Sequence, residues 1–122
     1  MAAAVSDFTP SQKHNHKVKK DSAESSIALD QTQDILAWLG KHKKDGQLLI
    51  GFAMETDNLL ENAQIKLHNK KADWIIANSL SDDQAGFQSD TNKVHLLGEN
   101  RDIVFEGPKT EIAHRVLSEI FK

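Results

Sequence analysis

Two short apolar runs with a helical pattern between them constrain the fold of this chain more than any other feature. Leu48–Met54 is almost continuously apolar and contains one glycine, a pattern typical of a parallel strand buried on both faces. Trp74–Ala77 is a second run of the same kind. Between the two runs, Leu60, Ala63 and Leu67 recur at helical spacing. The stretch therefore predicts a βαβ unit, whose crossover is right-handed in nearly all proteins.

The polar residues of this helix mark its start and raise a question about function. Asn58 is positioned as an N-cap, with Glu61 at the capping-box position three residues later. Lys66 and Lys70 lie one turn apart, and like charges at this spacing oppose helix formation by roughly 0.2–0.5 kcal/mol. Such a pair is either solvated without consequence or positioned to bind an anion. The residues alone leave both interpretations open.

The segments before the βαβ unit predict short strands and a helix. Ala2–Val5 consists of small apolar residues and is typical of the end of a buried strand. Ile27–Leu29 alternates with polar neighbours and is a second candidate strand. Asp30 or Thr32 then caps a predicted helix that ends near Lys44.

The segments after the βαβ unit predict a hairpin and a last helix. Lys93–Leu97 and Asp102–Phe105 are short strands joined by Gly-Glu-Asn-Arg. Thr110 is a candidate cap for the helix that follows. The apolar side chains of that helix are Ile112, Ala113, Val116, Leu117 and Ile120. These elements predict the α/β class: a partial Rossmann-like parallel sheet with a βαβ unit and an antiparallel edge hairpin, in a single domain over residues 1–122.

Composition and charge exclude several classes of function. The 122 residues carry a net charge of −3, so no global positive field draws the chain to nucleic acid or to a membrane surface. The absence of cysteine excludes disulfides, thiolate zinc sites and cysteine nucleophiles. No apolar run approaches the ~20 residues that span a bilayer, and the start of the chain lacks the basic region of a secretory signal. We therefore expect a cytoplasmic protein without a nucleic-acid or membrane partner.

No motif that is sufficient for catalysis occurs in the chain. The glycine-rich phosphate-binding patterns, the GxSxG nucleophile pattern and the HExxH zinc pattern are absent. His14 and His16 have a spacing that can chelate a metal, but no carboxylate motif accompanies them. Solvated loop histidines are the simpler interpretation, and we predict no metal site built from protein side chains.

The basic residues are more informative than the histidines. Lys17, Lys19 and Lys20 lie in a polar segment, residues 11–26, that we expect to be a mobile loop. Open α/β sheets bind ligands at the carboxyl ends of their parallel strands, where helix N-termini favour anions. The loop lysines and the helix lysines could therefore converge on a polyphosphate. Solvated surface lysines remain the alternative.

Six motifs that occur in order along the chain are similar to those of one enzyme family. They are AAAVSDF at Ala2–Phe8, KVKK at Lys17–Lys20, GFAMET at Gly51–Thr56, the spacing to Lys66 and Lys70, ADWIIANS at Ala72–Ser79 and GFQSDTNKVHLL at Gly86–Leu97. Each motif alone is weak. Together they resemble the C-terminal half of phosphopantothenoylcysteine synthetase, the CTP-dependent phosphopantothenate–cysteine ligase, over nearly the whole chain.

The resemblance implies a ligase of coenzyme A biosynthesis that works as a dimer. In this family CTP activates the carboxylate of 4′-phosphopantothenate as an acyl-cytidylate and releases pyrophosphate. The amine of cysteine then attacks the acyl carbon. CTP with magnesium is the implied co-substrate, and no flavin is expected in this segment. Lysines and magnesium suit this chemistry, because they offset the charge repulsion between carboxylate and triphosphate and stabilise the leaving pyrophosphate.

The resemblance also assigns residues to the nucleotide site. Lys17, the implied catalytic residue, would reach the phosphates from residues 11–26 acting as a lid. Phe52 would pack near the cytosine. The full set of implied nucleotide-binding residues is Ala2, Ala3, Asp7, Lys17, Asp34, Ile35, Phe52, Lys66 and Lys70.

Departures from the family pattern limit what this segment is expected to do alone. Family members carry an N-terminal half with a glycine-containing nucleotide loop and an asparagine that handles the acyl intermediate, and neither is found here. Gln33 replaces the usual proline, and Met54 replaces a small residue. We therefore expect the chain to form a homodimer or to pair with such a half, and to be inactive alone. The alternative is a non-catalytic nucleotide-binding or dimerisation module.

Overall fold

The computed structural model describes residues 5–19, 26–79 and 89–122 of the chain. Contacts divide the chain into two compact units, Met1–Ile35 and Leu36–Lys122. The single domain over residues 1–122 stays a prediction. In chain order the elements are β1 (Phe8–Pro10), β2 (Leu29–Gln31), α1 (Ile35–His42), β3 (Ile50–Glu55), α2 (Leu59–Lys70), β4 (Trp74–Ser79), β5 (Thr91–Gly98), β6 (Arg101–Pro108) and α3 (Lys109–Ile120).

The first unit contains an antiparallel pair of strands. β1 and β2 pair with Phe8 opposite Gln31. The pairing continues one step further, because the Thr32 amide donates to the Asp7 carbonyl with an N···O distance of 2.9 Å. The strand predicted at Ile27–Leu29 therefore lies two residues later in the chain.

A four-stranded sheet of order β3-β4-β5-β6 organises the second unit. β3 and β4 are parallel, from Ile50 opposite Trp74 to Glu55 opposite Ser79. β5 is antiparallel to both β4 and β6. The α/β class, the helix-linked parallel pair and the edge hairpin are thereby confirmed. The described sheet is mixed, with one parallel pair, and the hairpin strands are longer than predicted.

Helices cover opposite faces of this sheet. Side chains alternate between the two faces along each strand, so two separate clusters form. The α2-side cluster consists of Ala53, Ala63, Leu67, Ile75, Ala77 and Leu97. The α3-side cluster consists of Val94, Leu96, Phe105, Ile112, Val116 and Ile120. Three layers result, which is the architecture expected for a sheet with a βαβ crossover.

β3 departs most from its predicted environment. Gly51 and Ala53 are buried, but Phe52 is 69% exposed and Met54 is 46% exposed. The prediction of burial on both faces is therefore wrong. The reason is position: β3 is the first strand in the sheet order, and α3 packs on β5 and β6 at the other side. An apolar run does not reveal whether its strand is central or at an edge.

Gly51 is required where β3 meets α1. A Cβ at this position would lie 2.7 Å from Cδ1 of Ile75 and 2.8 Å from Cδ2 of Leu36. Leu36 is also the α1 residue that packs against the α2-side cluster. The helix begins at Ile35, later than the predicted caps, and ends at His42. Trp38 and Leu39 of this helix stay exposed, with Trp38 at 45%.

The two longer helices also differ in detail from the predicted pattern. Leu59 rather than Leu60 packs against the α2-side cluster, and Leu60 is 43% exposed. α3 begins one residue before Thr110 and has Pro108 at its N-cap position. Leu117 is 51% exposed. The buried stripe of α3 is therefore narrower than predicted, whereas that of α2 is shifted to include Leu59.

Candidate functional site

The connection between β3 and α2 lies at the carboxyl end of the parallel pair. Asn58 occupies the N-cap position as predicted, but its backbone is left-handed (φ 49°, ψ 39°) and its side chain makes no capping hydrogen bond. Asn62 closes the connection instead. Its Nδ2 donates to the Asp57 carbonyl at 3.2 Å and lies 3.4 Å from Oε2 of Glu55.

Asn62 was not predicted as a site residue. The sequence did contain a signal for this role. Asn62 is an amide in the first turn of the helix, and it follows Asn58, a residue type that tolerates a left-handed backbone. A left-handed cap residue directs its own side chain away from the first free amides of the helix. A second polar residue is then needed to hold the connection, and Asn62 has that place.

Lys66 is bound to the edge of β3. Its Nζ donates to the carbonyl oxygen of Phe52 at 2.7 Å. Because β4 lies on the other side of β3, this carbonyl points out of the sheet and is available to a side chain. Lys66 is half-buried. The structure thus brings Lys66 of the helix into contact with Phe52 of the strand, two residues that the resemblance assigns to the same site.

Lys70 lies one turn further along α2. It is half-buried and engaged by a neighbouring group. A Cβ on Gly40 would lie only 1.8 Å from the Lys70 carbonyl oxygen, so α1 approaches the end of α2 closely here. The Phe52 ring points to the opposite face of the sheet, since its neighbours in β3 face α2. Cations therefore lie on one side of the β3 edge and an exposed aromatic ring on the other.

The remaining predicted site residues belong to the first unit. Asp7 lies immediately before β1 and Asp34 shortly after β2, so the antiparallel pairing brings them to the same end of the strand pair. Lys17 is exposed between the strands, and Ile35 is the half-buried first residue of α1. Their convergence with Phe52 and the α2 lysines stays a prediction.

Part of the predicted site lies outside the described residues. Ala2 and Ala3 belong to this part, as do residues 20–25 of the predicted lid. Val5, the last residue of the predicted first strand, is 53% exposed. Its predicted burial is therefore not found.

A carboxylate at the start of β4 anchors the opposite end of the parallel pair. Oδ2 of Asp73 accepts from the Leu49 amide at 2.6 Å, and the Lys43 ammonium lies 2.7 Å from the same carboxylate. Partial burial acts to raise the pKa of Asp73, but the Leu49 amide and Lys43 outweigh it and hold the pKa below its usual value. This network fixes the chain that enters β3 against β4.

An apolar groove lies beside α1, and its lining includes none of the predicted site residues. Its volume is about 580 Å³, and its lining includes Trp38, Leu39, His42 and Leu48. The Trp38 and His42 rings stack with centroids 4.3 Å apart. The sequence predicted a helix here but not the groove.

Two features that bear on function are absent from the residues that the structure describes. Within the described ranges, no group of three or more His, Asp or Glu side chains is placed to hold a metal ion. In the same ranges, none of the helices has the length and apolar character needed to cross a bilayer. His14 and His16 are exposed.

Comparison with known proteins gives a family match over the whole chain. The family model for the DNA/pantothenate metabolism flavoprotein C-terminal domain matches residues 1–122. A cysteine/cysteine sulfinic acid decarboxylase from an unknown prokaryotic organism is 45% identical over 122 residues, which are 98% of this chain and 34% of that protein. The coenzyme A biosynthesis bifunctional protein CoaBC of Bacillus subtilis strain 168 is 40% identical over 121 residues, which are 97% of this chain and 29% of that protein.

A solved structure shares both sequence and fold with this chain. The crystal structure of the C-terminal domain of a coenzyme A biosynthesis bifunctional protein CoaBC is 37% identical, with a TM-score of 0.66. The match covers 97% of this chain and 50% of that chain. This chain therefore spans about a third of the curated relatives and half of the solved domain.

Proposed function

The chain belongs to the family of DNA/pantothenate metabolism flavoprotein C-terminal domains, and on that premise we propose that it forms part of a CTP-dependent phosphopantothenate–cysteine ligase. The proposal rests on the motifs that resemble this ligase and on the kinship with CoaBC proteins. The chain spans about a third of those proteins, so we propose for it a part of the ligase and not their whole activity. The decarboxylase named among the relatives extends well beyond this segment, to which we assign no decarboxylase chemistry and no flavin.

The proposed reaction has two steps that share one carboxyl group. The carboxylate of 4′-phosphopantothenate attacks the α-phosphorus of CTP, forming an acyl-cytidylate as pyrophosphate leaves with magnesium. The amine of cysteine then attacks the acyl carbon, forming the amide bond as CMP leaves and the amine loses a proton. Both leaving groups are anionic, so fixed cations stabilise charge that develops in the transition states.

Each residue of the proposed site has a role in holding the nucleotide. Lys17 reaches the triphosphate from the segment that acts as a lid and excludes water from the acyl intermediate. Phe52 packs near the cytosine. Lys66 and Lys70 supply positive charge along α2. The remaining proposed contacts, Ala2, Ala3, Asp7, Asp34 and Ile35, line the nucleotide from the first unit.

The observation that carries the proposal is the contact between Lys66 and Phe52. The two residues are far apart in the chain, were assigned to one site by motif, and are joined by a 2.7 Å hydrogen bond. The exposed Phe52 ring leaves an aromatic surface for a base. A nucleotide could use both groups beside this strand edge, its phosphates binding the cation and its base packing on the aromatic ring. A simple anion would use the cation alone.

The test is the thermal unfolding of the chain with and without nucleotide. We expect CTP with magnesium to raise the melting temperature by about 3–6 °C at ten times its dissociation constant. ATP with magnesium should raise it less. Lys66→Ala should remove most of the CTP-dependent rise, measured against the same variant without nucleotide.

Lys44→Ala is the matched control for this experiment. Lys44 is exposed and lies before β3, at the opposite end of the strand from the α2 connection. Its loss should leave the CTP-dependent rise unchanged. No rise with millimolar CTP in the unaltered chain, or an equal loss in both variants, would contradict the proposed site.

A non-catalytic nucleotide-binding or dimerisation module is the second candidate. It is favoured by the absence from the sequence of any motif that is sufficient for catalysis. Pyrophosphate release from CTP and 4′-phosphopantothenate distinguishes the candidates. We expect no release by the chain alone, and release with CTP-dependent amide formation once the rest of such a domain is supplied. Nucleotide binding without turnover in that complete assembly would favour the second candidate.

A further inference from the structure

Glu55 is a half-buried carboxylate at the carboxyl end of the parallel pair. It lies two positions after Ala53, whose side chain packs in the α2-side cluster. Side chains two residues apart on a strand lie on the same face, so the Glu55 side chain is directed to the α2 side of the sheet. This end of a parallel pair is where open α/β sheets bind their ligands.

Two residues one turn apart on α2 contact β3 beside Glu55. Nδ2 of Asn62 donates to Oε2 of Glu55 at 3.4 Å. Nζ of Lys66 donates to the carbonyl oxygen of Phe52 at 2.7 Å. The two helix residues are about 6 Å apart along the helix axis, and the two strand residues are about 10 Å apart along β3. A carboxylate and an ammonium group therefore lie one after the other along the contact between α2 and β3.

The contact with Asn62 holds one oxygen of Glu55 and leaves the other open. Within the described ranges, Oε1 of Glu55 accepts no hydrogen bond. Asn62 also donates to the Asp57 carbonyl at 3.2 Å, so one amide fixes both the end of β3 and the connection to α2. A carboxylate held in this way can accept a hydrogen bond and a proton from an amine.

The proposed reaction requires such a group. The amine of cysteine is mostly protonated at neutral pH, and it must lose protons before the amide bond is complete. Among the nucleotide-site residues proposed in the second unit, Phe52 is apolar, and Lys66 and Lys70 are cations. We propose that Glu55 binds the amine of the cysteine substrate and accepts its proton, with Asn62 as a positioning residue. This inference rests on the proposed function and adds to it the acceptor of the amine proton.

The proton transfer accompanies formation of the carbon–nitrogen bond. The ammonium group of cysteine pairs with the Glu55 carboxylate and gives it one proton. The freed nitrogen lone pair forms the bond to the acyl carbon, and the bond from that carbon to CMP breaks, so that CMP leaves with the electron pair. The nitrogen gives its second proton to the departing phosphate, and Glu55 later returns its own proton to water.

Two other carboxylates of this connection fit the role less well. Asp57 and Glu61 are both exposed, and Asp57 accepts from the Thr56 hydroxyl at 3.2 Å. Glu61 is in the first turn of α2, where a negative charge stabilises the helix dipole. The remaining alternative is that Glu55 has a structural role only, as the partner of Asn62. The two roles predict different effects on different nucleophiles.

The test compares cysteine with hydroxylamine as acceptors of the same acyl group. Hydroxylamine is mostly unprotonated at neutral pH, so it forms a hydroxamate without first giving a proton to a carboxylate. The chain is assayed with the rest of such a domain supplied, in the presence of CTP, magnesium and 4′-phosphopantothenate. Glu55→Gln should slow amide formation with cysteine by about a hundredfold or more, and should change hydroxamate formation by less than about threefold.

Glu61→Gln is the matched control. It removes the same charge from an exposed residue of the same connection, and glutamine is also a capping-box residue. It should change the rate with either nucleophile by less than about threefold. Asn62→Ala should lower the rate with cysteine relative to that with hydroxylamine by about tenfold, because Glu55 keeps its carboxylate but loses its support. An unchanged ratio in Asn62→Ala would remove the positioning role.

Two results would overturn the role of Glu55. Equal slowing with both nucleophiles in Glu55→Gln would show that the residue supports only the fold. An unchanged rate with cysteine would show that another group takes the proton. Pyrophosphate release by the unaltered assembly separates these failures from that of the proposed function. If that assembly releases no pyrophosphate from CTP and 4′-phosphopantothenate, the proposed function is refuted, and this inference with it.

Discussion

The two edge strands of the sheet are built in opposite ways. β6 has Arg101, Asp102 and Glu106 along its length and ends at Pro108, so charge and a proline discourage another strand from pairing with it. Among the described residues β3 pairs only with β4, has one charged residue at its end and exposes Phe52. One edge is charged along its length and the other is mostly apolar. The comparison shows that the exposed apolar residues of this chain are localised, and that their location is informative.

The packing beneath the two edges differs as well. Ala53, Ala63 and Ala77 let α2 lie close to β3 and β4. Larger side chains, including Leu96 and Phe105, separate α3 from β5 and β6. Close packing leaves little room for relaxation, so the β3–β4 side should be the more sensitive to substitution.

The largest expected effect is from Ile75→Ala, in the core beneath the parallel pair. Ile75 is fully buried, and its truncation should lower the free energy of unfolding by about 3 kcal/mol. Ile103→Ala, in the half-buried part of β6, should cost about 1 kcal/mol. Urea unfolding of both variants measures the difference. Equal losses would show that the two sides of the sheet are packed alike.

A smaller effect is expected from the carboxylate that anchors β4. Asp73→Asn weakens the bonds to Leu49 and Lys43 and should cost about 1–2 kcal/mol at neutral pH. Asp102→Asn, on the exposed β6 edge, should cost less than about 0.5 kcal/mol. The comparison of the two variants separates an anchoring carboxylate from an exposed one. A larger loss for Asp102→Asn would contradict this assignment.

The Asp73 network also predicts a pH dependence. Because the folded pKa of Asp73 lies below the unfolded value, its contribution is fully present above the unfolded pKa of about 4. It is lost as the pH falls through the folded pKa. The stability difference between the unaltered chain and Asp73→Asn should therefore shrink in urea titrations below about pH 4. If the stability difference between the two proteins grows on acidification, the folded pKa of Asp73 is raised and not lowered.

A modest effect is expected from Arg101 at the start of β6. The Arg101 guanidinium lies 5.5 Å from the centroid of the Trp74 ring and pairs with Glu119. Arg101→Ala should cost about 0.5–1 kcal/mol through the lost cation–π contact. Arg101→Lys should recover part of it, because lysine keeps the charge without the planar stack. If urea unfolding shows no change in the free energy of unfolding for either variant, the contact between Arg101 and Trp74 does not stabilise the fold.

Local signals predicted most of the fold. The alternation at β5 and β6 and the Gly-Glu-Asn-Arg turn were enough for the hairpin, because strand period and turn chemistry act over a few residues. The helical spacing of Ala63 and Leu67 likewise predicted α2. Local pattern failed at Leu60 and Leu117, which continue an apolar stripe but stay exposed. The width of a buried stripe depends on how much of a partner surface the helix meets.

The candidate site also has features that local sequence predicted and features that depend on packing. Lys66 and Phe52 could be assigned to one site from motifs, but not their hydrogen bond, since a helix residue and a strand residue meet only when the crossover packs. Asn62 was missed because the left-handed backbone of Asn58 has no unambiguous sequence signal. Residue types and spacing were sufficient for the α/β class and for the family, both of which depend on order along the chain. Two features depend instead on contacts between segments that meet only when the sheet assembles. One is which apolar run forms an edge strand, and the other is which lysine binds the carbonyl of that strand.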